Sequence, residues 1–231
     1  MIAEEYFKGV FITDASVIQQ KLKKIKAFIF DWDGVFNDGR KDIDGNSSFS
    51  EVDSMGVNMM RFSYYLLNHQ LPISIILTGE NNKLAISFAQ RESFHAAFYK
   101  TPDKKKGLDF LCEKYNITPG EVLFVFDDVL DLAVAELAGV RFMVGRSDNI
   151  LFRKFAVDNN LVDYITMNNG RDHAVREVSE LVMILQNNFN ETIENRMHFS
   201  DAYKTYLQLR NIILPRFFIT KDSQIIEDIN L

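Results

Sequence analysis

Two carboxylates separated by a single residue follow a short apolar run near the start of the chain. Residues 27–30 have the pattern of a buried strand, and Asp31-Trp32-Asp33-Gly34 comes directly after them. Because open α/β sheets bind ligands at the carboxyl ends of their strands, both acidic side chains would face a ligand site. One carboxylate could attack a substrate while the other transfers a proton, and Gly34 would permit the sharp turn this requires. An ordinary acidic turn is the alternative.

Two groups suited to binding phosphate follow the next predicted strands. Thr78-Gly79 ends the apolar run 73–77 and offers a hydroxyl and a backbone turn that can donate hydrogen bonds to a phosphate oxygen. Lys104 lies at the start of the helix after the third strand, where its ammonium could neutralise a phosphate. The next two residues are also lysines, so a solvated basic surface is the competing interpretation.

An acidic cluster follows the fourth predicted strand. Asp127-Asp128 ends the apolar run 122–126, and Asp131 comes shortly after. Carboxylates are hard oxygen ligands of the kind that Mg²⁺ prefers. Several of them crowded at one strand end repel each other unless a cation lies among them. The cluster therefore predicts a magnesium site.

The elements that must position these residues alternate along the chain. Apolar runs typical of buried strands are separated by segments with helical spacing, and they lie at 27–30, 73–77, 97–99, 122–126, 140–144 and, more weakly, 164–166. This alternation predicts a doubly wound parallel α/β sheet. The polar segment 37–51, centred on Asp44-Gly45, predicts a β-hairpin flap. We expect a core over residues 1–178 and a helical C-terminal extension over residues 179–231.

The order of these motifs resembles that of the haloacid dehalogenase superfamily. DWDG at 31–34 corresponds to the first motif, LTG at 77–79 to the second, Lys104 to the third and DDVLD at 127–131 to the fourth. The resemblance implies a Rossmann-like fold of the haloacid dehalogenase type and a Mg²⁺-dependent phosphatase.

The resemblance also implies roles for individual residues. Asp31 would be the nucleophile that forms an aspartyl phosphate, and Asp33 would protonate the leaving group and then activate water. Thr78 and Lys104 would hold the phosphate oxygens. The metal ligands would be the carboxylates of Asp31 and Asp127 and the backbone carbonyl of Asp33. Supporting roles would fall to four further residues: Gly34, Gly79, Asp128 and Asp131.

More narrowly, the chain is similar to the capless sugar-acid phosphatases that act on 3-deoxy-D-manno-octulosonate 8-phosphate. DSMGV at 53–57 and GRDHAVREV at 170–178 carry this part of the likeness. It implies a homo-tetramer in which neighbouring subunits shield the site, with Arg171 as a candidate cation for a substrate carboxylate. The apolar face of the C-terminal extension, if exposed, would favour association. Folding of the extension onto its own subunit is the alternative.

Two positions depart from this family pattern. Glu80 stands where these enzymes usually have Arg, so Glu80 is a candidate substrate-binding residue. A nine-carbon sugar acid 9-phosphate, of the sialic acid or KDN type, is the alternative substrate. Phe126 stands where these enzymes usually have Gly before the acidic pair, which places a bulky ring near the metal loop that could tighten or obstruct it.

Composition excludes other partners. The chain has 231 residues and a net charge of −6, with no basic stripe of the kind that nucleic-acid binding requires. The amino terminus lacks the features of a signal peptide, and the sequence has no apolar stretch long enough to span a bilayer. With the single cysteine, Cys112, this predicts a cytoplasmic protein with no membrane partner. A non-catalytic module that binds a sugar acid or builds an oligomer is the competing hypothesis for its function.

Overall fold

The computed structural model describes residues 3–229. Its helices are Ala3–Tyr6 (α1), Ala15–Leu22 (α2), Glu51–Asn68 (α3), Lys83–Arg91 (α4), Lys104–Tyr115 (α5), Leu132–Ala135 (α6), Ile150–Asp158 (α7), Ala174–Leu185 (α8), Phe189–Met197 (α9) and Asp201–Asn211 (α10). Its strands are Val10–Phe11 (β1), Ala27–Phe30 (β2), Ile73–Leu77 (β3), Ala96–Tyr99 (β4), Val122–Phe126 (β5), Val140–Met143 (β6), Tyr164–Ile165 (β7), Arg216–Lys221 (β8) and Gln224–Glu227 (β9).

Within residues 3–229, the strands form one nine-stranded sheet in the order β1-β7-β6-β5-β2-β3-β4-β8-β9. Neighbouring strands are parallel except at the two edges, where β1 pairs with β7 and β9 pairs with β8 in the antiparallel direction. The central strand β2 lies between β3 and β5, with Phe30 opposite Ile76 and Val125. The carboxyl ends of these three strands therefore lie side by side, and the predicted α/β fold class is confirmed.

Helices cover both faces of the sheet. Successive side chains of a strand point to opposite faces, so Phe28 and Phe30 of β2 pack in one hydrophobic cluster, with residues of α3 and α8, while Ala27 and Ile29 pack in another, with residues of α5, α6 and α7. Burial on both faces is why these strands read as continuous apolar runs in the sequence. Among the described residues, no helix combines the length and the apolar content needed to cross a bilayer.

The segment 37–51 does not form the β-hairpin that we predicted. A turn is present at the expected place, where the N–H of Asp42 donates to the carbonyl of Asn46 at 2.8 Å, but no strand flanks it. Side chains replace a strand ladder, because Asp42 accepts from the N–H of Asn46 at 2.8 Å and Asn37 donates to the carbonyl of Ser48 at 3.0 Å. Asp and Asn side chains often compete with regular structure in this way. The segment is an irregular loop, called the 37–51 loop below.

The helical part of the C-terminal extension folds onto its own subunit. Met59 and Phe62 of α3 pack in one cluster with Tyr203 and Tyr206 of α10, and the hydroxyl of Tyr206 donates to the carbonyl of Asn58 at 3.1 Å. The alternative that we weighed against an exposed apolar face is therefore what the structure shows. The boundary expected between residues 178 and 179 falls inside α8, which belongs to the cover of the sheet.

The end of the extension forms strands, whereas we predicted helix throughout. β8 pairs in parallel with β4, and Phe218 stacks on Phe98 with the ring centroids 4.8 Å apart. Asp222 and Ser223, both at positive φ, form the tight turn that leads into β9. The unpaired edge of β4 offers hydrogen-bonding groups to a strand that is distant in sequence, and a local helical pattern carries no information about such pairing.

Candidate active site

The carboxyl ends of β2, β3 and β5 open into a cavity of about 310 Å³. All the nominated catalytic, metal-binding and supporting residues line it, together with Glu80: Asp31, Asp33, Gly34, Thr78, Gly79, Glu80, Lys104, Asp127, Asp128 and Asp131. Because these residues come from four separate stretches of the chain, the parallel sheet is what brings them together. Asp38, Gly39, Leu130 and Arg146 complete the lining.

Gly34 allows the chain after β2 to turn against the acidic end of β5. Its φ is +83°, a conformation that side chains other than glycine's rarely adopt. A Cβ at this position would lie 1.9 Å from the Oδ2 atom of Asp127. Any larger residue would therefore both strain the backbone and displace Asp127 from the cavity.

Lys104 joins two of the acidic side chains. Its Nζ lies 2.6 Å from the Oδ1 atom of Asp31 and 2.6 Å from the Oδ1 atom of Asp131. All three side chains are almost completely buried, with Lys104 only 3% exposed. This burial excludes the solvated basic surface that we considered for Lys104. Lys105, in contrast, is exposed and pairs with Asp109 on the same helix.

Asp31 and Asp127 hold their protons more strongly than free carboxyl groups do, since the pKa of each is raised. Burial, followed by repulsion from Asp131, raises the pKa of Asp31 well above its ordinary value, although Lys104 opposes the shift. Burial and Asp131 also raise the pKa of Asp127 to about 7. Burial alone would lower the pKa of Lys104, but Asp31 and Asp131 outweigh it and the pKa is raised. Lys104 is therefore an ammonium at neutral pH.

Arg146 is a cavity residue that we did not nominate from the sequence. Its Nη1 donates to the Oδ2 atom of Asp127 at 2.6 Å, and its Nε and Nη2 donate to Asp148 at 3.0 and 2.9 Å. It follows β6, the strand beside β5, so the same rule that located Asp127 at a strand end could have located it. An arginine after a short apolar run is too common a pattern to single out alone.

Thr78, Glu80 and Asp128 line the cavity but take no part in the ion pairs that Lys104 makes with Asp31 and Asp131. Thr78 is buried, and its Oγ1 accepts a hydrogen bond from the N–H of Glu80 at 3.3 Å, while the side chain of Glu80 is exposed at the rim. Asp128 is exposed, and its carboxylate accepts from the N–H of Val129 at 2.7 Å. It thereby caps the short helical turn that carries Asp131 into the cavity.

A second cavity of about 280 Å³ adjoins the first and shares Gly34, Asp38 and Arg146 with it. Arg171 lines this second cavity and is exposed, so it does not lie within the acidic cluster. Gly170 lets the backbone beside Arg171 lie close to the turn at Gly34, since a Cβ at Gly170 would lie 2.4 Å from the carbonyl oxygen of Gly34. The nearby Arg176 pairs with Glu180 on the same helix, at 2.6 Å.

The ring of Phe126 packs in the core and does not obstruct the metal loop. Its ring is fully buried and stacks on Phe124, with the centroids 5.5 Å apart and the planes 8° from parallel. Both rings belong to the hydrophobic cluster on the face of the sheet that α5, α6 and α7 cover. Because alternate side chains of a strand share a face, a large residue here fills the core rather than the cavity.

The acidic cluster fits a divalent cation. One carboxylate oxygen from each of Asp31, Asp127 and Asp131 lies within 4.8 Å of the others, and all three residues are buried. Only Lys104 and Arg146 pair with these three carboxylates among the described residues, so one negative charge remains in excess. Burying such a charge is costly unless a proton or a cation balances it. Oxygen-only ligands of this kind suit Mg²⁺.

Comparisons with known proteins agree with this geometry. No family model matches the chain. The 3-deoxy-D-manno-octulosonate 8-phosphate phosphatase of Haemophilus influenzae is 26% identical over 173 residues, which cover 73% of this chain and 88% of that protein. The crystal structure of the phosphatase of that name from Moraxella catarrhalis, in complex with magnesium, phosphate and KDO, is 29% identical. It matches with a TM-score of 0.64 and covers 77% of this chain and 97% of that one.

A hydrolase structure from Legionella pneumophila that bears the name of the HAD superfamily, subfamily III A, supports the fold alone. It is 24% identical, with a TM-score of 0.64, and covers 79% of this chain and 94% of that one. The shared fold, the sequence similarity and the motifs at adjacent strand ends agree with one another. This chain is similar to the 3-deoxy-D-manno-octulosonate 8-phosphate phosphatases of Haemophilus influenzae and Moraxella catarrhalis.

Proposed function

We propose that this chain is a Mg²⁺-dependent phosphatase that hydrolyses the phosphate monoester of a sugar acid. The observation that carries the proposal is the Asp31–Lys104–Asp131 arrangement beside Asp127, which puts a potential nucleophile, a phosphate-binding cation and metal ligands in one cavity. The similarity to phosphatases of known name supports the same reaction. A non-catalytic binding module has no evident need for this combination of buried charges.

In the first step, a carboxylate oxygen of Asp31 attacks phosphorus and forms an aspartyl phosphate as the bond from phosphorus to the sugar oxygen breaks. Asp33 gives a proton to the departing sugar oxygen. In the second step, Asp33 takes a proton from a water molecule that attacks the aspartyl phosphate, and inorganic phosphate is released. Thr78 and Lys104 bind the phosphate oxygens and hold the phosphoryl group in line with Asp31.

The carboxylates of Asp31 and Asp127 and the backbone carbonyl of Asp33 would hold Mg²⁺, with Asp131 close enough to orient Lys104 or to join them. When bound, Mg²⁺ supplies positive charge that neutralises the phosphoryl oxygens and the acidic cluster. Gly34 leaves room for the carboxylate of Asp127, Gly79 lines the cavity beside Thr78, and Asp128 holds the turn that presents Asp131.

For the substrate, 3-deoxy-D-manno-octulosonate 8-phosphate is our first candidate, because the named relatives act on it. The second cavity has room for the part of the substrate beyond the phosphate, and Arg171 on its wall offers a cation for the sugar-acid carboxylate. Glu80 at the rim of the first cavity is suited to accept hydrogen bonds from sugar hydroxyls. A nine-carbon sugar acid 9-phosphate would use the same groups.

We also propose a homo-tetramer that shields the cavity, although the structure removes one of the two reasons for expecting it. The apolar face of the extension is covered by α3 of its own subunit and no longer calls for a partner. The remaining reason is the open site, since phosphoryl transfer benefits when water is excluded. Light scattering measures the assembly, and a monomer at working concentration would contradict this part.

The decisive experiment is phosphate release from a panel of sugar-acid phosphates, with Mg²⁺ and with a chelator. We expect turnover that requires Mg²⁺ and is lost in Asp31→Asn, because an amide cannot form the acyl phosphate. Asp109→Asn, an exposed acid on α5, is the matched control and should keep full activity. Wild-type turnover in Asp31→Asn, or no turnover of any ester by the wild type, would refute the proposed reaction.

A further inference from the structure

The 37–51 loop is fixed beside the candidate active site by buried polar contacts. Asn46 accepts a hydrogen bond from the N–H of Lys83 at 2.9 Å, at the start of α4. The carbonyl of Ser47 accepts from the indole N–H of Trp32 at 3.2 Å. Asn46 and Ser47 are 8% and 2% exposed, and Trp32 is fully buried. The loop therefore has a defined position, although it lacks the hairpin that we predicted.

The direction of the hydrogen bond at Ser47 follows from its neighbour Asn82. The Oδ1 atom of Asn82 accepts from the N–H groups of Leu84 and Ala85, at 3.0 and 3.3 Å, and so caps α4. Because a backbone N–H can only donate, the amide nitrogen of Asn82 must face the other way, and it donates to the Oγ of Ser47 at 2.7 Å. The hydroxyl hydrogen of Ser47 is thus free for another acceptor.

That acceptor is the Oδ1 atom of Asp33, which also receives a second donor. Ser47 donates to Oδ1, and the Nζ of Lys41 lies 2.5 Å from the same atom. The Oδ2 atom of Asp33 is buried and has no hydrogen-bond partner among the described residues. The two oxygens of one carboxyl group are therefore not equivalent.

We propose that Lys41 and Ser47 are positioning residues that hold the carboxyl group of Asp33 through its Oδ1 atom and so keep it in place for proton transfer to the leaving group. This inference rests on the proposed function. As the bond from Asp31 to phosphorus forms and the bond from phosphorus to the sugar oxygen breaks, a proton moves from the carboxyl group of Asp33 to that oxygen. The products of this step are a sugar hydroxyl and the Asp33 carboxylate, whose new negative charge faces the ammonium of Lys41 and the hydroxyl of Ser47.

The inference predicts a dependence on the leaving group. The p-nitrophenolate leaving group is stable as an anion and needs little protonation, whereas a sugar alkoxide needs a proton as it departs. Lys41→Met and Ser47→Ala should therefore lower kcat/KM for the sugar-acid phosphate roughly 10- to 100-fold and change that for p-nitrophenyl phosphate less than about threefold. A role in folding alone would lower both values together.

Asn82→Asp gives a test that keeps the helix cap. A carboxylate at position 82 still accepts from the N–H groups that begin α4 but cannot donate to Ser47. The Ser47 hydroxyl would then turn its hydrogen toward position 82 and away from Asp33, so we expect the same selective loss on the sugar ester. Lys41→Arg keeps the cation and should restore most of the activity lost in Lys41→Met.

Lys83→Met is the matched control, because Lys83 is an exposed lysine beside the loop and does not line either cavity. It should leave both esters unchanged. Equal losses on the two esters in Lys41→Met, or no loss on either, would overturn the positioning role while wild-type Mg²⁺-dependent turnover still upheld the proposed function. A wild-type protein that hydrolyses neither ester would overturn both.

Discussion

Removal of the buried ammonium of Lys104 should destabilise the protein strongly. Lys104→Met keeps the aliphatic length but leaves Asp31 and Asp131, each 2.6 Å from the lost nitrogen, without their cation. Breaking a buried ion pair by removing one partner costs about 3–5 kcal/mol. Since 1 kcal/mol shifts the Tm of a chain of this size by roughly 2–4 °C, the melting temperature in a chelator should fall by about 6–20 °C.

The dependence of this stability loss on pH and on Mg²⁺ shows whether the unpaired carboxylates cause it. The pKa of Asp31 is already raised in the fold, so its carboxyl group takes up a proton more readily than a free one as the pH falls and sheds the unpaired charge. The deficit of Lys104→Met should therefore be smaller at about pH 5 than at about pH 8, and Mg²⁺ should also reduce it. Thermal melts with and without a chelator measure these effects.

Lys105→Met, on the exposed side of the same helix, is the control and should melt like the wild type. A loss below about 1 kcal/mol, or an equal loss at both pH values, would refute the reasoning.

Three other predictions follow from the site and the sheet. Arg146→Met removes the cation that competes for Asp127, so calorimetry at about pH 8 should give Mg²⁺ binding about 3- to 10-fold tighter, and weaker binding would contradict the competition. The pKa of Asp127 is raised from its ordinary value of 3.8 to about 7 in the metal-free fold. Between pH 3.8 and about pH 7, the folded chain therefore binds more protons than the unfolded chain does. The free energy of unfolding without metal should fall as the pH rises through that window, and the increase in Tm produced by Mg²⁺ should grow. An increase in Tm that stays constant with pH would show that Asp127 is not a ligand. Phe218→Ala, which removes the ring stacked on Phe98, should cost about 3–5 kcal/mol in urea denaturation, and a loss under about 1 kcal/mol would mean that β8 contributes little.

The central fold could be predicted from the sequence because its determinants are local. Each core strand is buried on both faces and so appears as a continuous apolar run, as 122–126 does, and strands that alternate with helical spacing leave few topologies open. The positions of Asp31, Thr78 and Asp127 then followed from one rule, that the ends of adjacent parallel strands meet. The residues lining the cavity were largely identified in this way.

What depended on pairing between distant segments could not be predicted. The β8–β9 hairpin forms because the edge of β4 accepts a partner more than a hundred residues away, and the 37–51 loop remains irregular because its own polar side chains satisfy its backbone.

The sequence by itself determined the central strands of the sheet, the strand-end motifs and the types of the polar groups at the site, because apolar periodicity and residue type are local properties of the chain. Only the tertiary structure decided which charges meet. Lys104 could have been a surface lysine, Arg146 had no distinguishing pattern, and Lys41 lay in a segment read as a flap. Their partners are fixed by burial and by distances of a few ångströms, and the energy of an ion pair depends on both. The charge balance of the site is therefore a property of the folded chain.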